Sequence, residues 1–145
     1  MKKLNEMRLT LQSRSVNESF ARGAVASFVA TLDPNIEELA DIRTAVSEAV
    51  TNCVVHAYRD RIENIYITAS IYENGRVVIK IRDKGCGIDD VNRAMEPLYT
   101  SAPGEERAGL GFAVMQSLCD CVKVNSRIGR GTTVTLVKTI AAKEF

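Results

Sequence analysis

The sequence predicts an α+β fold, a two-layer α/β sandwich whose helices cover one face of a mixed, mostly antiparallel sheet. Three observations predict it: short segments of strict apolar/polar alternation, two long segments with a helical apolar repeat, and turn signals that join the alternating segments mostly as hairpins. Met7, Leu9 and Leu11 alternate with Arg8, Thr10 and Gln12, the period of a half-buried strand. From Asn17 to Leu32 the pattern changes: Phe20, Ala24, Phe28 and Leu32 recur every fourth residue, with Ala21, Val25 and Val29 beside them. That is an amphipathic helix, and Asp33-Pro34 stops it. Asn35 followed by Glu38 has the spacing of a capping arrangement for a longer helix running to about Tyr58, with Leu39, Ile42, Val46, Val50 and Cys53 on its apolar face.

Ile65, Ile67, Ala69 and Ile71 then alternate with Tyr66, Thr68, Ser70 and Tyr72. Asn74-Gly75 is a strong hairpin turn, and Val77, Ile79 and Ile81 form the returning strand. Val91 to Met95 is a candidate short helix. Residues 96–108 are polar, carry Pro97, Pro103 and Gly104, and read as a mobile loop. Phe112 to Cys119 is helical, and Val122-Val124 with Thr132-Ile140 makes a last hairpin around Gly129-Arg130-Gly131. No repeat, low-complexity tract or linker divides the chain, so residues 1–145 are expected to form one domain.

Composition narrows the function classes. With 46% hydrophobic and 26% charged residues the chain is an ordinary globular sequence, and a formal charge of +1 gives no global field for direct nucleic-acid binding. No apolar run reaches membrane-spanning length and the basic start lacks a signal peptide's apolar stretch, so a cytoplasmic, non-membrane protein is expected. Cys53, Cys86, Cys119 and Cys121 lack zinc-site spacing and read as buried, reduced small residues.

Three signatures carry chemistry. In Glu48-Ala-Val-Thr-Asn52-Cys-Val-Val-His56, a carboxylate, a carboxamide and an imidazole stand at i, i+4 and i+8. At roughly 100° per residue, with Leu39 at zero, they lie near about 180°, 220° and 260°, while the apolar face centres near about 340°. The stripe thus starts opposite the core and slants toward its edge, where a cleft can form; an ordinary solvated helix face carries the same residue types. Asp83-Lys-Gly85-Cys-Gly87 follows a strand and places an acid and two glycines where backbone can approach a flat ligand. Gly109-Leu-Gly111 opens a helix whose free N–H groups suit phosphate. Other nucleotide folds fit poorly: Gly-x-x-x-x-Gly-Lys-Ser/Thr is absent, as are Gly-x-Gly-x-x-Gly after the first strand and the His-Arg-Asp and Asp-Phe-Gly kinase signatures.

In order and spacing, these signatures resemble the nucleotide site of the superfamily containing gyrase, Hsp90, histidine kinases and MutL, whose ATPase domain has the Bergerat fold. Within it the chain most resembles the small anti-sigma factors that are also serine kinases, the sporulation anti-sigma F family in particular. The residues carrying that resemblance are Asn17-Glu-Ser-Phe-Ala-Arg22, residues 46–58, Arg82-Asp-Lys-Gly-Cys-Gly-Ile88, Glu96-Pro-Leu-Tyr-Thr100, and Glu106-Arg107 ahead of Gly109-Leu-Gly-Phe112.

The resemblance implies that Asn52 ligates a Mg²⁺ bridging the ATP phosphates, and that Asp83 accepts a hydrogen bond from the adenine amino group. Gly87 would let the base approach, and Gly109 and Gly111 would end an ATP lid and offer N–H groups to phosphate. His56, Gly85, Thr100 and Thr132 are carried over as further ATP or ADP contacts. Glu48 is the candidate base that deprotonates a target serine, and Arg107 the lid cation. The family usually has a Lys two residues after the Thr matching Thr100; Ala102 stands there, without the side chain for one phosphate contact.

Implied partners are a sporulation sigma factor, held away from RNA polymerase, and an anti-anti-sigma protein phosphorylated on serine, with a homodimer as the working state. Glu18 and Arg22, one helical turn apart, are the implied partner-binding pair, although their spacing also suits a local ion pair. A general-stress anti-sigma kinase, a nucleotide-gated binding module without phosphotransfer and a detached histidine-kinase catalytic domain stay open as alternatives.

Overall fold

The computed structural model describes residues 1–95 and 111–141. Five strands, β1 (Lys3–Gln12), β2 (Asn64–Tyr72), β3 (Arg76–Arg82), β4 (Cys121–Arg127) and β5 (Gly131–Thr139), form one sheet in the order β1-β2-β3-β5-β4. Every pairing is antiparallel, so the mostly antiparallel expectation is met with no parallel pair among the described residues. The helices are α1 (Val16–Val29), α2 (Ile36–Asn52), α3 (Val91–Ala94) and α4 (Gly111–Leu118).

Register explains the two layers. Leu9, Ile67, Ile81, Val134 and Val124 lie side by side across all five strands, and Met7, Ala69, Ile79, Leu136 and Val122 make the next row. Alternation sends both rows to the helix-covered face, where Ile67, Ile79, Ile81 and Leu136 are at most 2% exposed. Each such side chain contributes about 1.5–3 kcal/mol of burial. The rows between them, such as Thr10-Tyr66-Arg82-Thr133-Asn125, face the other way.

Local chemistry sets the boundaries. Asn35 and Glu38 close a full capping box at α2, each side chain accepting from the other residue's backbone N–H. Asn74 and Gly75 both take left-handed φ, the conformation that a tight β2–β3 hairpin requires. Lys138 is the exception in the inner face: its ammonium reaches Asp41 on α2 at 3.2 Å and the Leu118 carbonyl at the end of α4 at 2.7 Å. A cation at that helix end complements its dipole while pinning two helices to β5.

Three expectations are corrected. The buried face of α1 is Ala21, Val25 and Val29, whereas Phe20 is 58% exposed. The helix is rotated by about one residue, because the small Ala21 and Val25 allow close packing against α2. The second long helix ends its α-helical run at Asn52 and continues as a π-helical turn over Cys53–Ala57. Of the four cysteines, all free thiols, only Cys53 is buried, while Cys86 is exposed. Cys119 is half-buried, and burial pushes its thiol up to about 11. Among the described residues no helix is long and apolar enough to cross a membrane.

Candidate functional site

A cleft opens where the end of α2, the loop after β3 and the start of β5 converge. It encloses about 850 Å³, counting space open to solvent. Ala49, Ile88, Ala94, Phe112 and Val134 line it with apolar surface, and Asn52, His56, Asp83 and Thr132 supply polar groups.

Asp83 lies at the end of β3, only 6% exposed. Its Oδ1 accepts from the Gly85 N–H at 2.9 Å and the Thr132 N–H at 3.2 Å. Among the described residues, Oδ2 receives only the weak Cys53 thiol donor at 3.6 Å and so retains acceptor capacity in the cleft. Burial holds the Asp83 carboxyl above its ordinary range, with the two N–H donors working against it. Burial, then the adjacent Asp83 charge, pushes the Cys53 thiol well up, so it remains a protonated donor.

The two glycines of the Asp83 turn do different things. Gly87, at φ +79°, lines the cleft, and a Cβ there would collide with the Arg127 carbonyl. Gly85, expected to contact nucleotide, is absent from the cleft wall. It presses against Ala57, where a Cβ would strike both the carbonyl and the methyl group. Together with the Cys86 N–H donating to the Ala57 carbonyl at 3.3 Å, this contact buttresses the π turn that carries His56. Gly85 thus packs on the scaffold and donates its N–H to Asp83.

Asn52 and Glu48 meet the start of α4. A Cβ on Gly111 would stand 3.3 Å from Asn52 Oδ1 and 3.4 Å from Glu48 Oε2, so Gly111 is what brings the helix N-terminus close to both. Asn52 Nδ2 is buried and has no hydrogen-bond partner among the described residues. An unspent buried amide costs about 1–3 kcal/mol, which a bound polar ligand would offset. That carboxamide, with its hard oxygen, fits a site for phosphate and a divalent cation.

Glu48 is 9% exposed, not on open solvent as its helical angle implies. Since α1 and α4 flank α2, the side opposite the sheet is also covered. Glu48 belongs to the wall of a second, open groove between α1 and α2, together with Glu18, Arg22 and Arg43. Glu18 and Arg22 form the local ion pair at 3.3 Å. His56 and Thr132 line the cleft. Thr100, Arg107 and Gly109, with the whole 96–108 loop, lie outside the described residues.

One residue escaped sequence reasoning. Ser126 Oγ accepts the Ile88 N–H at 2.8 Å and lies 2.7 Å from the Thr132 hydroxyl, tying the Asp83 turn to β5. Its signal was present: counting back from the Gly129-Arg130-Gly131 turn pairs Ser126 with Thr132.

A family profile described as "Histidine kinase-like ATPase domain" matches residues 10–138. An anti-sigma F factor from Caldanaerobacter subterraneus subsp. tengcongensis is 54% identical over 136 residues, 94% of each chain. The chain belongs to the anti-sigma F family. A second member, from Thermoanaerobacter sp. strain X514, is 51% identical over 142 residues, covering 98% of this chain and 99% of its own. A third, from Geobacillus thermodenitrificans, is 48% identical over 137 residues, 94% of each chain. Among solved structures, the RsbU and RsbW domains of a Mycobacterium tuberculosis protein superpose with a TM-score of 0.68 at 20% identity, covering 98% of this chain and 34% of that one. The mycobacterial sensor histidine kinase MprB gives 0.58 at 14% identity over 94% of this chain and all of its own. These two likenesses speak to the fold. Membership makes this a kinase-type, ATP-using domain, which implies nucleotide binding.

Proposed function

We propose that this chain is an ATP-dependent protein-serine kinase that also acts as an anti-sigma factor. It holds a sigma F-like sporulation factor away from RNA polymerase, and it phosphorylates an anti-anti-sigma protein on serine so that this partner no longer displaces the sigma factor. The observation that carries the reading is the position of Glu48. The same carboxylate abuts Gly111 at the phosphate end of the nucleotide cleft and walls the groove that holds Glu18 and Arg22. A serine approaching along that groove would meet a base on one side and the phosphate end of ATP on the other.

The remaining roles follow from chemistry. Asp83 Oδ2 reads the exocyclic amine of adenine while Oδ1 is occupied by backbone donors. Gly87 keeps the loop close to the base plane. Asn52 would hold Mg²⁺, which when bound offsets charge on the phosphates. The N–H groups opening α4 at Gly111, with Gly109, Thr100 and Arg107 from the lid, complete the phosphate contacts. Glu48 takes the proton of the serine hydroxyl as its oxygen bonds to the γ-phosphorus, and ADP leaves with the electron pair of the broken P–O bond. Arg22 anchors both partners in a homodimeric protein, so that they compete for one surface.

Incubation with γ-labelled ATP and a candidate anti-anti-sigma protein should give acid-stable phosphoserine on that protein. Glu48→Gln should keep ATP and partner binding but lose about 10²–10⁴-fold in transfer rate. Complex formation without transfer would make the chain a binding module, and an acid-labile product would point to phosphohistidine chemistry.

A further inference from the structure

The outer face of the sheet gathers cations with no carboxylates to answer them. Alternation sends Lys80, Arg82, Lys123 and Arg127 to this face, and Lys84 and Arg130 extend it at the strand ends; all six are exposed. Arg82 pairs across β5 with Thr133, which pairs with Asn125, and Arg127 lies opposite Gly131. A trough forms over β5 between Arg82 and Lys84 on one bank and Asn125 and Arg127 on the other, where Gly131 lets the Asp83–Lys84 backbone pack closely against β5. It encloses about 1230 Å³, counting space open to solvent.

Among the described residues, none of the six cations is ion-paired. Arg82 and Lys84 instead lie against the Tyr66 ring, 4.8 and 5.1 Å from its centroid. Glu6 is the one acid at the outward positions of the five strands; it stands on the edge strand β1, two strands from β3, and is held by Lys3 and Arg8. Asp83 sits between Arg82 and Lys84 in sequence, but its carboxylate turns to the opposite side of the sheet, where Oδ1 takes two backbone N–H groups and Oδ2 faces the cleft. A chain of net charge +1 therefore concentrates positive charge on one surface.

We propose that this trough docks an acidic, extended segment of a protein partner. Guanidinium forks on Arg82 and Arg127 answer its carboxylates, and Thr133 and Asn125 offer hydrogen bonds along the floor. A nucleic-acid strand fits less well. Single-strand binders present open aromatic rings for stacking, and the ring of Tyr66 already carries two cations. The trough is on the opposite side of the sheet from the nucleotide cleft, so this docking stands independently of the kinase reading.

The test is fluorescence anisotropy of the full-length protein with a short fluorescein-labelled poly-glutamate peptide. The wild type should bind it with an affinity that falls as salt screens the exposed charges. Arg127→Glu/Arg130→Glu should weaken binding by at least about tenfold, roughly 1.4 kcal/mol, and Lys80→Glu/Lys123→Glu, farther along the face, should weaken it independently. Lys2→Glu/Arg14→Glu, matched in net charge but away from the trough, should bind as the wild type does. Circular dichroism melts establish that each variant is folded. Absence of wild-type binding, equal losses in the matched control, or tighter binding of an oligothymidylate that displaces the peptide would each overturn the proposal.

Discussion

The two faces of the sheet use the same strands for opposite ends. On the inner face, Ile67, Ile81 and Val134 stand in one row and exclude water. In the adjacent outward row, Tyr66, Arg82 and Thr133 leave charge in solvent. Where the inner row ends, Asp83 is a carboxylate in a largely dry setting, held by backbone donors. The difference shows where this fold builds selectivity: polar groups on the inner side are few and held in place, whereas those on the outer side are many and exposed.

Adjacent residues offer the largest test of that contrast. Ile81→Ala should cost about 2–5 kcal/mol of stability by opening a cavity in the inner row, while Lys80→Ala should stay within about 0.5 kcal/mol. Similar losses in chemical denaturation would break the division between faces. Next, Asn52→Ala should cut Mg²⁺-ATP affinity by more than about 100-fold, beyond the loss of a mere outer-shell partner. Calorimetry showing wild-type affinity would remove Asn52 from the metal site.

Ser126→Ala should have a smaller effect, about 1–2 kcal/mol, by leaving the Ile88 N–H without its acceptor. It should also loosen ATP-over-GTP discrimination, because the Gly87–Ile88 end of the turn loses its link through Ser126 to Thr132, leaving only the direct Asp83–Thr132 bonds. A variant with normal stability and selectivity would make Ser126 a bystander. Asp83→Asn gives the subtlest readout. Burial raises the folded carboxyl above its ordinary value of 3.8, so the folded state binds more protons than the unfolded one across that window. Wild-type stability therefore falls as pH rises from about 4 through the raised value. The substituted carboxamide would not titrate, yet it keeps an acceptor for the Gly85 and Thr132 N–H groups, so the stability difference between the proteins should change across this pH range. Parallel melting curves from pH 4 to neutrality would rule out Asp83 as a destabilised carboxylate.

Most strands were legible because alternation reports which side of a sheet is dry, and Asn35-Glu38 and Asn74-Gly75 announce their caps and turns. The family was legible through the order of its motifs. Other features depend on neighbours far along the chain. Phe20 fits the helical repeat as well as Ala21 does, and only the close approach of α2 decides between them. The π turn is braced by Gly85 and Cys86, some thirty residues away. A single-helix projection puts Glu48 in solvent because α1 and α4 do not figure in it.

The strand order β1-β2-β3-β5-β4 has a consequence for biosynthesis. The first three strands form a meander that can assemble as soon as they emerge from the ribosome, but β3 and β4 meet only when β5 inserts between them. Thr132, the residue that fixes Asp83, is on that last strand. Nascent or truncated chains lacking β5 would therefore acquire a partial sheet before a nucleotide grip, and affinity for adenine would report that translation had passed it.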